Sequence, residues 1–218
     1  MIVIAGVLSQ AEVAAARAVA ADLVFADGRA TAGRIARQVK SNDQAVVSPG
    51  RDAILEKAKK AILEHPVFVA AARPRALTPL ILSRYRVGQT YGQHVDDALM
   101  QGLRTDLSFT LFLSDPETYG GGALEVEDNY TPREVKLAAG DLILYPSTAL
   151  HRVTPVDSGE RLAIVGWVES WIRSAAERDI LFDLEQALAT IEAAEGKSPV
   201  YDKIAKSRSN LLRLWAGA

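Results

Sequence analysis

No cysteine occurs among the 218 residues. That absence removes disulfides, thiolate metal sites and cysteine nucleophiles together. It also fits a reducing compartment, so a cytoplasmic location is the expectation. Histidine is scarce: the three are His65, His94 and His151, so imidazole chemistry must be sought among them. Long apolar runs are missing, and no stretch approaches the roughly 20 residues that a membrane span needs. The opening "MIVIAGVLSQ" has no basic n-region and no small-residue cleavage site, and it reads as a strand entering a helix rather than a signal peptide. Asn129-Tyr130-Thr131 matches a glycosylation sequon, which carries no weight without a secretory signal. Neither sign of charge dominates: 25 Lys and Arg against 27 Asp and Glu leave a net charge of −2. A basic footprint for nucleic acid is therefore lacking, and neither nucleic acid nor a membrane is expected as a partner.

What is present is ordinary for a globular chain. Apolar residues make up 49% and charged residues 24%, enough for one sizeable domain with a small helical appendage. Ser9-Gln10-Ala11-Glu12 is a capping box ahead of an alanine-rich helix over 10–24. A second helix follows Gly50, with Ile54, Ala58 and Ile62 on one face, and Pro66 stops it. From about residue 78 the texture turns to short strands and turns. "DLSFTLFLSD" is a strand, "YGGG" a glycine turn, and Ala139-Gly140-Asp141 and Asp157-Ser158-Gly159 two further turns. Strands without intervening helices indicate an antiparallel sandwich or barrel. Helices return after Trp171. Ser174-Ala175-Ala176-Glu177 is another capping box, Ile180, Leu184, Leu188 and Ile191 form an apolar stripe, and Ser198-Pro199 opens a last helix. That stripe suits packing on the core or a homodimer interface.

His65 ends a helix before a proline and reads as structural. His94 and His151 both fall in the strand-rich region. Alternation along a strand puts His94 and Asp96 on one face and Asp97 on the other. With His151 they make a 2-His-1-carboxylate set of the kind that suits non-haem Fe(II). Alone, His-x-Asp is a weak signal and reads as a surface polar pair. Arg161 follows His151 by ten residues on "RLAIVGWV", an even count that lets it face the same interior. A guanidinium there needs an anion, and a carboxylate matches it best. A dicarboxylic cosubstrate, chelating iron at one end and meeting arginine at the other, answers both demands. Tyr85 needs a partner for its hydroxyl, either that cosubstrate's carboxylate or a backbone carbonyl. Tyr91 and Tyr145 are secondary candidates. Arg152 reads as a surface or substrate-side charge, and Gly120-Gly121-Gly122 as a turn rather than a phosphate cradle. Residues 87–90 and "KSNDQAVV" are placed at the border of the substrate, with no chemistry that selects one.

"YGQHVDD", "LHRV" and "ERLAIVGWVESWIR" resemble the Fe(II)/2-oxoglutarate dioxygenases of the prolyl-4-hydroxylase-like superfamily. The closer resemblance is to the bacterial PKHD-type hydroxylases, through "RYRVGQTYGQHVD", "DLSFTLFLSDPETYGGGALEV", "AAGDLILYPSTALHRVTPV" and "ERDILFDLEQAL", over residues 75–190. It implies an α+β fold: a double-stranded β-helix (jelly-roll) core of antiparallel strands at 76–172, an N-terminal strand and supporting helices at 1–75, and a C-terminal helical extension at 173–218. It makes His94, Asp96 and His151 the catalytic metal ligands and Arg161 the anchor for the distal carboxylate of 2-oxoglutarate. The implied activity is an oxidoreductase that consumes O2 and 2-oxoglutarate, hydroxylates a substrate, and releases succinate and CO2. The cofactors are Fe(2+), 2-oxoglutarate as cosubstrate, and L-ascorbate (vitamin C). A peptidyl side chain, a free amino acid or a siderophore-like metabolite would serve as substrate, with a link to iron uptake. Two other readings stay open: a non-catalytic iron/2-oxoglutarate sensor, and a zinc hydrolase on the same triad. Arg161 argues against the latter, because hydrolysis needs no buried dicarboxylate anchor.

Overall fold

The computed structural model describes residues 1–128 and 131–217; the sequon residues Asn129 and Tyr130 lie outside the described residues. The N-terminal segment runs β1 (Ile2–Ile4), α1 (Gln10–Ala21), β2 (Phe25–Asp27), β3 (Lys40–Ser41), β4 (Asp43–Ala45), α2 (Pro49–Glu64) and α3 (Pro66–Ala72). Ser9 and Glu12 form the expected reciprocal cap of α1, with the Ser9 N–H donating to Glu12 Oε2 at 2.9 Å. Ser48 caps α2, Pro49 occupies its first turn, and Ile54, Leu55, Ala58 and Ile62 form its buried face. Pro66 ends that helix and also opens α3, because a proline costs nothing where the N–H has no helical partner. Four short strands stand in this segment, where the sequence suggests one. At two or three residues each, β2 to β4 are too short to show alternation.

The remaining strands are β5 (Pro74–Leu77), β6 (Ile81–Arg86), β7 (Thr90–His94), β8 (Leu99–Met100), β9 (Leu103–Arg104), β10 (Leu107–Phe112), β11 (Tyr119–Gly121), β12 (Leu124–Asp128), β13 (Thr131–Val135), β14 (Leu142–Pro146), β15 (His151–Val153) and β16 (Val156–Ser170). The major sheet has the order β1-β14-β10-β16-β6-β4-β2, with β5 and β11 also pairing with β16. The minor sheet has the order β13-β12-β15-β7-β3, and β8 and β9 form a separate hairpin. Facing antiparallel sheets of this kind make the jelly-roll core.

All six residues of β10 are buried, because both faces of the major sheet are covered. One face, with Leu82, Phe109, Leu111, Leu144 and Ile164, packs with α2 and α3 residues such as Ile62 and Phe68. The other face, with Tyr85, Phe112, Ile143 and Tyr145, meets Leu124, Val126 and Val153 of the minor sheet. Period-two alternation thus separates the positions that support the helices from those that point between the sheets.

Two predicted turns are strand instead. Asp157-Ser158-Gly159 lies inside the 15-residue β16, and Tyr119–Gly121 pairs with it as β11. The register shifts between Gly120 and Gly121, so this is a bulge. Gly121 has φ +61°, and a Cβ there would lie 2.0 Å from the Pro155 carbonyl oxygen. Glycine marks a close backbone approach here, which sequence alone does not distinguish from a turn.

At the C-terminus, α4 (Ala175–Glu195) is capped by Ser174 and packed on by α5 (Pro199–Trp215). The buried side of α4 carries Leu181 and Leu188, whereas Ile180, expected on that face, is 46% exposed. Glu185 ties the extension together, accepting from Arg73 at 2.7 Å and from Arg208 at 2.6 Å. Among the described residues no helix is long and apolar enough to cross a membrane.

Gly166 of β16 sits opposite Phe109 of β10. A methyl there would lie 2.6 Å from both the Phe109 ring and Leu80. Gly166→Ala is therefore expected to cost about 1–3 kcal/mol by overpacking. The effect should appear as a lower urea midpoint at unchanged slope; an unchanged midpoint would mean that the helix-facing side of β10 and β16 is not packed as described.

Candidate metal centre

β7 ends at His94 and β15 begins at His151, and these two residues are register partners. Their ring centroids lie 4.2 Å apart. Asp96 follows the end of β7, and its carboxylate turns back to both rings: Oδ1 is 3.9 Å from His94 Nε2 and Oδ2 is 3.6 Å from His151 Nε2. One ligand atom from each of the three falls within 4.8 Å of the others. All three side chains are at most 7% exposed. Because β7 stops at His94, strand alternation does not extend to Asp96. The chain path beyond the strand selects it. Asp97 is exposed, with its carboxylate against Gly33 at the rim of the cavity.

Each imidazole is oriented by the backbone two residues before it. His94 Nδ1 lies 2.8 Å from the Gly92 carbonyl oxygen, and His151 Nδ1 lies 3.0 Å from that of Ala149. A carbonyl only accepts, so both Nδ1 atoms carry the proton and both Nε2 lone pairs are free to bind a cation. Asp96 Oδ2 accepts from Ser108 Oγ at 2.6 Å, and Ser108 Oγ in turn lies 2.8 Å from Ser147 Oγ. Sequence reasoning missed these two serines. The available signal was weak: Ser108 and Thr110 break the apolar run of β10 at alternate positions, which marks a polar face. Two imidazole Nε2 atoms, a carboxylate and clear space on one side suit a divalent transition metal held with positions left open.

Two aromatic rings brace the histidines. Tyr91 stacks on His94 with centroids 3.6 Å apart, and Tyr145 meets His151 edge-on at 5.2 Å. Burial pushes the Tyr85 and Tyr145 hydroxyls above their usual range. Both therefore stay protonated at neutral pH and can donate a hydrogen bond.

Arg161, opposite Tyr85 in the β16–β6 ladder, is 1% exposed and lines the same cavity. Its guanidinium lies 5.3 Å from the Tyr85 ring and 5.2 Å from that of Phe112. Its Nε and Nη2 are buried and have no acceptor among the described residues. A buried cation with unused donors calls for an anionic ligand. The cavity measures about 770 Å³ including its open mouth.

The other candidates fall elsewhere. His65 joins α2 to α3 and does not line this cavity. Arg152 points outward and pairs with Glu125 at 2.7 Å.

The profile described as the 2OG-Fe(II) oxygenase superfamily matches residues 80–169. A PKHD-type hydroxylase of Maricaulis maris is 49% identical over 192 residues, covering 88% of each chain. Another, of Parvibaculum lavamentivorans, is 49% identical over 213 residues, covering 97% of each. Among solved structures, a Pseudomonas putida prolyl-4-hydroxylase aligns with TM-score 0.54 at 21% identity, covering 78% of this chain and 91% of its own. The viral collagen prolyl hydroxylase of Paramecium Bursaria Chlorella virus-1, in its 2OG complex, gives 0.55 at 20%, covering 78% and 95%. At such identities the structural likeness speaks for the fold alone.

Burial, and then the neighbouring His151, push the His94 imidazole down from 6.5 to about 4. The unfolded chain takes up this proton near pH 6.5, the folded metal-free protein only near pH 4. Protonation in that window favours unfolding, so the stability present above pH 6.5 should be lost as pH falls towards 4. Thermal denaturation of metal-free protein should show a falling Tm over this range, with a shallower fall in His94→Gln. Equal slopes would show that His94 is not buried as a neutral ring.

Proposed function

This chain belongs to the PKHD-type hydroxylase family of the 2OG-Fe(II) oxygenase superfamily, and from that premise we propose that it hydroxylates its substrate at an iron centre held by His94, Asp96 and His151. One observation supports this most: two free Nε2 atoms and a serine-held carboxylate converge in the cavity that also contains a buried arginine with unused donors. Fe(II), when bound, supplies the oxidative chemistry that couples O2 and 2-oxoglutarate to succinate, CO2 and a hydroxylated product.

The chain's own residues do the rest. The Gly92 and Ala149 carbonyls fix the tautomer of both ligand rings, and Ser108 fixes the carboxylate. Arg161 takes the distal carboxylate of 2-oxoglutarate through paired N–H donors. Tyr85 stands beside it, two residues along β6 from Ser83, which accepts from Asn42 Nδ2 at 2.8 Å. The facing sheets bury the three ligand side chains, which leaves little water around them. In this reading L-ascorbate keeps the iron reduced, the location is cytoplasmic, and the physiological setting is iron uptake.

Succinate formation from 2-oxoglutarate with Fe(II) and O2 tests the assignment. His94→Ala, Asp96→Ala and His151→Ala should each abolish it, and Asp97→Ala should keep most of it. Ser108→Ala should lower metal affinity or turnover by about 10–100-fold, the usual effect of losing a partner that orients a ligand. A dead Asp97→Ala beside an active Asp96→Ala would overturn the ligand assignment.

A further inference from the structure

Lys40 is a second buried cation in the same cavity. It lies on β3, the edge strand of the minor sheet, opposite Tyr91 of β7. It is 9% exposed and lines the cavity that holds the metal centre. Its ammonium lies 4.9 Å from the centre of the Tyr91 ring, whose other partner is the His94 ring. The order from the metal ligand outwards is thus imidazole, phenol, ammonium.

The ammonium has no carboxylate partner among the described residues. Its hydrogen bond goes to the neutral Thr31 Oγ1 at 3.1 Å. That hydroxyl also accepts from Gln44 Nε2 at 2.9 Å and donates to the Gly28 carbonyl at 3.0 Å, so its bonding capacity is filled. Lys40 therefore keeps donors to spare. Nearby carboxylates are committed elsewhere: Asp27 is exposed and pairs with Arg29, and Asp96 belongs to the metal centre. Asp97 is exposed at the rim, where water screens it.

Charge balance shows what this cation is for, given the iron and 2-oxoglutarate reading on which this argument rests. A divalent metal with Asp96 leaves one positive charge, and Arg161 adds another. Together they match the two negative charges of 2-oxoglutarate. Among the buried charges that line this cavity, Lys40 is then left without a counterpart, which is costly.

We propose that Lys40 anchors an anionic group of the substrate to be hydroxylated, and so selects substrates that carry a carboxylate or a comparable compact anion. Thr31 and Gln44 hold the ammonium in place. Arg161, on the opposite sheet, remains dedicated to the cosubstrate.

The test uses full-length protein loaded with Mn(II) and saturating 2-oxoglutarate, with acetate and methylphosphonate as anionic probes and tetramethylammonium as a cationic control. Paramagnetic relaxation of the probes' methyl protons reports their approach to the metal without turnover. Wild type should relax the anions and not the cation. Lys40→Gln, which can still donate to Thr31, should bind the anions about tenfold more weakly, the usual loss for one charge-assisted hydrogen bond. Lys40→Arg should keep them, and the Kd for 2-oxoglutarate should stay within about twofold in every Lys40 variant, as expected for independent sites. A preference between acetate and methylphosphonate identifies the anion. Anion relaxation unchanged in Lys40→Gln overturns the inference. A Lys40→Gln that loses 2-oxoglutarate as well also overturns it, because Lys40 would then belong to the cosubstrate. A wild type that binds neither Mn(II) nor 2-oxoglutarate instead brings down the iron-site reading itself.

Discussion

The pairing of β7 with β15 is the constraint on which the site depends. It sets His94 opposite His151, with no other element needed to bring the imidazoles together. A strand register is strict where a face is buried, since a slip of one residue turns every side chain over. Here the ladder also carries an irregularity: His151 pairs with His94, but Val153 pairs with Tyr91, so β7 holds one residue more than β15. Such a bulge changes the aim of a side chain without breaking the sheet. It lets Tyr91 stack flat on His94, while Thr90 Oγ1 donates to the Val153 carbonyl at 2.7 Å and holds the bulge in place.

The major sheet provides the opposite wall by dividing its labour between two faces. Alternate residues of β6, β10, β14 and β16 either pack with the helices or point between the sheets. Arg161, Tyr85, Ser108 and Tyr145 all lie on the inner face because each sits an even number of residues from its inward neighbours. The helices therefore serve the chemistry indirectly. By burying the outer face they let the inner one carry polar groups that a thinner fold would have to trade for core.

Much of this was legible in the sequence, and the limits have physical causes. His94, Asp96, His151 and Arg161 could be picked out as candidates because only three histidines exist and because a buried guanidinium demands an anion, while the family resemblance supplied their roles. The choice of Asp96 over Asp97 came from strand alternation, yet the strand ends at His94 and the chain path makes the selection. Asp157-Ser158-Gly159 reads as a turn by composition but runs within β16, because its partner strand β11 brings glycines of its own. Composition reports what a backbone tolerates and not what lies beside it. Ser108 was out of reach for a related reason, and Lys40, although it opens the segment "KSNDQAVV" placed at the substrate's border, could not be singled out within it. A serine in an apolar strand and a lysine at a strand edge are common, and only their neighbours in space distinguish these two.

A fold that buries Arg161 and Lys40 without carboxylate partners loses stability in the free state. The cost is carried by the rest of the molecule, notably the all-apolar packing of Leu82, Phe109, Leu111 and Ile164 against the helices. Such strain belongs where ligands bind, because an incoming anion then regains the free energy the empty site has lost. Each ligand side chain has an orienting hydrogen bond, to the Gly92 or Ala149 carbonyl or from Ser108, whereas Arg161 Nε and Nη2 have no acceptor among the described residues. Ligand side chains must be held before the metal arrives, whereas a cation already bonded to a protein carboxylate would have nothing left to offer an anion.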